Sequence, residues 1–137
     1  MSNSKGFSLI ELMVVILIVS ILTAVTISIL RGRVDTAKWS EANASTGSIR
    51  LAIRAYIAEK GENFDFTPLV DTLDNCGPTL DFAPTALDGS YFNQQDYTIL
   101  AVDGVAGTCV IEVTSTHPQG PPGTGTLAAD GRWSVTP

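Results

Sequence analysis

The stretch GFSLIELMVVILIVSILTAVTISIL, residues 6–30, decides the fold of this chain. It contains one charged side chain, Glu11, and nineteen uncharged residues follow before Arg31. In an α-helix these residues span about 28 Å, which is close to the thickness of the hydrocarbon core of a bilayer. The sequence therefore predicts a transmembrane helix near the N-terminus.

The polar side chains that follow Glu11 in this apolar stretch are all hydroxyls. A Ser or Thr hydroxyl in a helix can donate a hydrogen bond to a backbone carbonyl of the preceding turn, so it is tolerated in lipid or between helices. We expect this arrangement for the four residues concerned, which are Ser20, Thr23, Thr26 and Ser28.

The helix is predicted to continue beyond the apolar stretch as far as Lys60. No proline interrupts residues 31–60, and Gly61 provides a C-terminal cap after a basic residue in the last turn. The sequence thus predicts one helix of about 50 residues, whose second half is amphipathic and packs one face on the rest of the protein. The apolar stripe of that face consists of Ile49, Ile53, Tyr56 and Ile57.

The rest of the sequence changes to loop and strand patterns. Residues 62–93 are rich in Asp, Thr, Pro and Gly and indicate a long loop with a short helical turn. Residues 94–137 carry alternating apolar residues and Asp-Gly turns, which predict a small antiparallel sheet. The fold class is therefore α+β, a long N-terminal helix packed on a small sheet. The predicted strands are 97–102 and 108–114, then a shorter pair at 126–129 and 132–135.

Basic and acidic residues are unevenly distributed along the chain. The net charge is −6, and between Gly61 and Pro137 a single basic residue, Arg132, is opposed by ten acids. Binding of a nucleic-acid backbone needs several Lys or Arg side chains on one surface, so no nucleic-acid partner is predicted. An acidic, solvated outer surface is the simpler interpretation.

Two cysteines, Cys76 and Cys109, lie beyond the predicted membrane helix. If this part is exported into an oxidising compartment, a disulfide between them closes a loop of about 34 residues and stabilises the domain by about 3 to 4 kcal/mol. The alternative is a pair of buried thiols. The single histidine, His117, precedes a proline and belongs to no nucleophile or metal-ligand pattern, so the chain is not predicted to be an enzyme.

Glu11 is the residue of the apolar stretch that most needs an explanation. An isolated carboxylate in hydrocarbon is costly, so an acid in a membrane segment is a functional candidate and should have a partner. The six residues before the apolar run, with one lysine and a final glycine, are also too short for the charged n-region of an ordinary secretory signal. Both features set this N-terminus apart from an ordinary signal peptide.

The run Gly6-Phe7-Ser8-Leu9-Ile10-Glu11, with the apolar residues that follow, closely resembles the leader and mature start of type IV pilins and type II secretion pseudopilins. The resemblance implies that residues 1–6 are a leader, that a prepilin peptidase cleaves after Gly6, and that the new amine of Phe7 is N-methylated. It also implies that Glu11 neutralises the Phe7 amine of a neighbouring subunit during assembly.

The same resemblance implies the lollipop fold of pilins. Residues 7–30 are then the transmembrane and filament-core helix, residues 31–61 its amphipathic continuation, and residues 62–137 the globular head with its loop and sheet. The resemblance further implies that the chain begins as a single-pass protein of the inner membrane and ends in a filament on the cell surface or in the periplasm. The partners it implies are copies of the chain itself, a prepilin peptidase and methyltransferase, an inner-membrane assembly platform, and membrane lipid before assembly.

Three interpretations of function stay open from the sequence. The first is a structural subunit of a type IV pilus-like extracellular filament. The second is a pseudopilin in a short periplasmic filament that drives protein secretion. The third is a single-pass membrane protein whose soluble domain binds a ligand and does not polymerise. In the first two, the function is assembly and not catalysis.

Calcium is the one ligand that the resemblance raises. Secretion pseudopilins have a calcium site in a loop region like the one that contains Asp88, Asp96 and Asp103, and carboxylate oxygens suit calcium. These acids show no regular ligand spacing, and solvated loop acids are the simpler interpretation. No other cofactor is predicted.

Overall fold

The structure of the chain, a computed structural model, describes residues 6–137 except the side chain of Ser28. Residues 1–5, which belong to the predicted leader, lie outside the described residues. The chain divides into two compact units between Val34 and Asp35. Helix and sheet are both present, in agreement with the predicted α+β class.

One helix, α1, covers Leu9–Lys60 and contains 52 residues, which confirms the prediction of a single long helix. At its start, the carbonyl of Ser8 accepts a hydrogen bond from the amide of Leu12 at 3.2 Å. At its end, Gly61 has a left-handed φ of 88° and donates its amide to the carbonyl of Ile57 at 2.8 Å. Gly61 therefore caps the helix, as the sequence indicated.

The apolar side chains of the N-terminal unit are exposed around the whole helix. Between Phe7 and Leu30 the exposed fraction of the large apolar side chains runs from 77% at Leu9 to 46% at Ile27. The most apolar part of α1 has a mean hydropathy of 2.9, and none of it is buried. By length and composition, α1 is able to cross a membrane.

The hydroxyls within this stretch bond to the helix that carries them. Ser20, Thr23 and Thr26 each donate to the carbonyl four residues earlier, at 2.6, 2.7 and 2.8 Å. The prediction for these three side chains is confirmed, and the side chain of Ser28 lies outside the described part of the chain. Each of these polar groups is therefore satisfied without a partner from another helix.

The C-terminal unit contains a four-stranded antiparallel sheet in which each strand pairs with the next along the chain. The strands are β1 (Tyr97–Asp103), β2 (Thr108–Val113), β3 (Thr124–Leu127) and β4 (Trp133–Thr136). The first two agree with the prediction. The last two are displaced outward from the predicted ranges, because hydrogen bonds from the amides of Ala128 and Gly131 close a longer turn between them.

The stripe on the second half of α1 forms the core with the sheet. Ile49 and Ile53 are fully buried and Ile57 is almost fully buried, as predicted, whereas Tyr56 is partly buried and packs against the core. Burial of one such isoleucine stabilises the fold by about 1.5 to 3 kcal/mol. The same cluster includes the inward side chains of three strands, which are Tyr97, Ile99, Cys109, Ile111, Val113 and Leu127.

The segment between α1 and β1 is attached to the free edge of β1. The amide of Ile99 donates to the carbonyl of Asp71 at 2.9 Å, and Thr72 forms a bridge with Thr98. A short helix, α2 (Leu73–Cys76), follows, so the helical turn expected in this loop is present. Three turns of 3-10 helix lie in the same region, at Thr67–Leu69, Gly77–Leu80 and Gln94–Asp96.

The two cysteines do not form the predicted disulfide in the structure, where both are buried free thiols. Cys76 ends α2 on one side of β1, whereas Cys109 lies on the other side, in β2, opposite Val102. Both thiols belong to the same buried cluster of side chains. The arrangement observed is the alternative of two buried thiols.

Candidate functional site

The predicted cleavage site lies just outside α1. Gly6, Phe7 and Ser8 are exposed and have no regular secondary structure, and the helix begins at Leu9. Exposed, non-helical backbone is the kind of segment that proteases cut. The peptide bond between Gly6 and Phe7 is therefore open to an enzyme in this conformation.

Glu11 lies exposed in the first turn of α1 and is the one charged residue between Gly6 and Leu30. Within residues 6–137, its carboxylate has no ion-pair partner. The positive end of the helix dipole stabilises an anion there by about 0.3 to 1 kcal/mol. Removal of a carboxylate from water costs several kcal/mol, so the dipole alone does not offset it. In an apolar environment, a charged Glu11 therefore needs a cation nearby.

Ser8 holds the position that precedes the helix, a role that was not predicted. Its carbonyl accepts hydrogen bonds from the amides of Glu11 and Leu12, at 3.1 and 3.2 Å. The spacing Ser-x-x-Glu from Ser8 to Glu11 is that of a capping box, and this pattern could have indicated the helix start. The first turn of the helix thus fixes the backbone at the acid.

Cleavage after Gly6 would add a second charge at this end of the helix. The new amine of Phe7 would stand four residues, about one helical turn, before Glu11. An otherwise uncharged apolar helix would then carry one cation and one anion at its end. Two charges that are each costly in lipid become tolerable when they neutralise each other. After such a cleavage, this end of the chain would carry both charges of an ion pair.

The three acids considered for calcium do not lie together. Asp96 precedes β1 and Asp103 ends it, so they are about 23 Å apart along the strand. In the described part of the chain, no group of three or more His, Cys, Asp or Glu side chains is placed to hold a metal ion. Asp88 accepts a hydrogen bond from the amide of Gln94 at 2.8 Å, and Asp103 bonds to amides of its own turn.

Asp96 has a structural role that the sequence analysis did not anticipate. Its carboxylate is buried and accepts hydrogen bonds from the amide and the hydroxyl of Thr116, at 3.1 and 2.7 Å. The other oxygen accepts from the amide of Asn93 at 2.9 Å, in a capping box. The pattern Asn-x-x-Asp could have signalled it. Asp96 thus ties the start of β1 to the connection after β2.

A family model described as the prokaryotic N-terminal methylation motif matches residues 1–27. The match includes the predicted cleavage site, Glu11 and most of the apolar stretch, and it ends before the C-terminal unit. No curated protein and no solved structure matches the chain. The resemblance of this N-terminus to the prepilin-type leader of type IV pilins and pseudopilins is confirmed.

Proposed function

Because the chain carries a prepilin-type methylation motif, we propose that it is a structural subunit of a type IV pilus-like extracellular filament. A prepilin peptidase cleaves it after Gly6, and the amine of Phe7 is methylated. The apolar helix then leaves the membrane and packs against copies of itself. The observation that carries the proposal is Glu11, the single charge of an exposed apolar helix, one turn from the new terminus.

The exposed apolar surface of α1 supports assembly through this helix. A continuous apolar surface of this kind marks a site of membrane or protein contact. Lipid covers it before assembly, and the helices of other copies cover it afterwards. Since lipid tails are as apolar as these side chains, the transfer gains little hydrophobic free energy. Side-chain packing and the charges at the helix end must therefore select the correct arrangement.

In this proposal Glu11 neutralises the Phe7 amine of a neighbouring subunit. A subunit in the wrong axial position leaves both charges unpaired in an apolar environment, which costs several kcal/mol. A subunit in the correct position pairs them where the dielectric constant is low and their attraction is strong. The ion pair therefore sets the register of subunits more than it adds net stability.

The proposal also assigns the location and partners of the chain. It enters the inner membrane as a single-pass precursor, meets the prepilin peptidase and methyltransferase there, and is taken up by an assembly platform. The product is a homo-polymer at the cell surface. The activity is structural, and no side chain is assigned a reaction.

A periplasmic pseudopilus that drives secretion is the second candidate, because the leader motif is common to pilins and pseudopilins. Electron microscopy of producing cells separates the two. Long surface filaments that contain the chain support the pilus. Short periplasmic filaments, with loss of protein export when the chain is removed, support the pseudopilus. A single-pass protein that binds a ligand without polymerising gives neither filament.

The mature N-terminus tests the proposal directly. Mass spectrometry of the chain from cells that process prepilins should show methylated Phe7 as the first residue. Gly6→Val is the control variant, because a branched side chain at the cut should leave the leader attached. An intact Met1, or a cut elsewhere in the wild-type chain, contradicts the proposal.

A further inference from the structure

A groove beside the C-terminal end of α1 combines apolar side chains with acids. It has a volume of about 520 Å³ and lies between the segment that follows α1 and the end of β1. We call it the acidic groove. The lining residues that matter here are Glu62, Phe64, Asp65, Val70, Leu100 and Asp103.

The apolar side chains of the acidic groove have no cover within the described chain. Phe64, Val70 and Leu100 are each almost half exposed. Leu100 lies at a β-bulge, since the pairing of β1 with β2 shifts between Ile99 and Ala101. A bulge bends the strand and releases a residue from the regular ladder. The groove therefore presents apolar surface that a partner can bury.

The shape of the acidic groove is fixed by packing beneath it. The rings of Phe64 and Phe66 lie 5.6 Å apart, and Phe66 is buried. Gly104 stands so close that a Cβ atom there would collide with the ring of Phe66 and the carbonyl of Glu62. The segment that follows α1 and the end of β1 are therefore in close contact at Gly104. The groove is already formed in the single chain, without a partner.

The rim of the acidic groove is negatively charged. Glu62, Asp65 and Asp103 line it, and its described lining contains no basic side chain. Hydrogen bonds from the hydroxyl and the amide of Thr67 lower the pKa of Asp65, which favours its charged form. Lys60, the nearest base along the chain, is paired with Glu59 at 2.7 Å. The partner that suits this groove is therefore apolar and cationic.

Such a surface is present on the chain itself. Arg31 and Arg33 are exposed, and within residues 6–137 neither forms an ion pair. Leu30 and Val34 are exposed on the same stretch of helix. Residues three or four positions apart share a helical face, so Leu30, Arg33 and Val34 together present one apolar and cationic surface.

We propose that the acidic groove of one copy receives the Leu30–Val34 stretch of a second copy, with Arg33 against the acids of the rim. The inference rests on the proposed function, since it describes how copies meet in the filament. The contact joins two different surfaces of the same chain. A contact of this type does not close on itself in a pair, and its repetition can build an open helical filament.

Cysteine pairs placed in separate copies test this contact. Val34 and Val70 are 42% and 43% exposed, so each can become cysteine without loss of core packing. Cells that make filaments from Val34→Cys and Val70→Cys chains together should give a cross-linked dimer under mild oxidation. Val135, which is 40% exposed and lies in β4, is the matched control. Filaments from Val34→Cys and Val135→Cys chains together should give no cross-linked dimer. The wild-type chain and each single variant should also give none.

The outcomes separate this inference from the proposed function. Filaments that contain both variants and give no dimer, or give as much dimer with the Val135 control, overturn the contact and leave the filament proposal intact. Absence of filaments from the wild-type chain contradicts the filament proposal itself, and the contact falls with it.

Charge reversal provides a second measurement that does not depend on cross-linking. Arg33→Glu places a like charge against the rim and should lower filament yield about tenfold, because like charges across a contact cost affinity. Adding Asp65→Lys to the same chain should restore most of the yield. A normal yield from Arg33→Glu, or no recovery in the double variant, overturns the proposed contact.

Discussion

The carbonyl of Ser8 accepts a hydrogen bond from the amide of Glu11 at 3.1 Å, so the first turn of α1 closes directly after the predicted cleavage bond. Cleavage between Gly6 and Phe7 removes nothing from this turn. The backbone at Glu11 is therefore held by the same hydrogen bonds in the precursor and in the mature chain. Its position relative to the new terminus is set before a filament forms.

Glu11→Gln should separate processing from assembly. The amide keeps the size of the side chain and removes its charge, while Gly6 and Phe7 stay intact for the peptidase. We expect normal cleavage and membrane insertion, with a filament yield lowered at least about tenfold, which corresponds to about 1.4 kcal/mol. Mass spectrometry and sedimentation of sheared filaments measure the two properties.

Glu59→Gln is the control for this variant, since Glu59 is an exposed acid near the other end of the same helix. It should assemble like wild type. A normal filament yield from Glu11→Gln would refute the pairing of Glu11 with the amine of a neighbour.

Gly61→Ala should destabilise the C-terminal unit by about 1 kcal/mol, because alanine is strained at a left-handed φ. Gly47 lies inside α1 with open space around it, so Gly47→Ala should stabilise by up to about 1 kcal/mol. Urea unfolding of the whole chain in detergent, followed by the fluorescence of the buried Trp39, measures both. Equal effects of the two substitutions would exclude a capping role for Gly61.

The thiols of Cys76 and Cys109 should be free but should react slowly in the folded chain. Burial raises the pKa of both Cys76 and Cys109, which lowers the fraction of reactive thiolate in the folded chain at pH 8. A thiol reagent should therefore react slowly with the native chain and rapidly with two thiols after unfolding. Chain isolated from the oxidising compartment that yields no thiol after unfolding would show that a disulfide forms there.

The helix and the first two strands could be predicted because local patterns determine them. The spacing of Ile49, Ile53 and Ile57 identifies the buried face, and Gly61 identifies the helix end. The observed bounds of β3 and β4 differ from the predicted ones, because they depend on how the turn between these two strands closes. The placement of Cys76 and Cys109 as buried free thiols depends on how segments distant in sequence pack around β1, and local patterns do not determine this.

The candidate sites divide in the same way. Gly6, Phe7 and Glu11 lie within six consecutive residues, so a short motif was enough to predict them. The acidic groove was not found, because Glu62 and Asp103 come together only through the path of the chain around β1. The role of Asp96 was likewise hidden, since its partner Thr116 lies twenty residues further along.

The described hydroxyls of the apolar helix all donate to their own backbone. Their hydrogens are therefore not available to a neighbouring helix. These turns can contact a neighbour through van der Waals packing, which does not fix a direction as a donated hydrogen bond does. In a filament built on such helices, subunits under tension can slide along one another without breaking a hydrogen bond at these positions. The charged helix ends and the folded C-terminal units then resist extension of the filament, while the apolar helices can shift past one another.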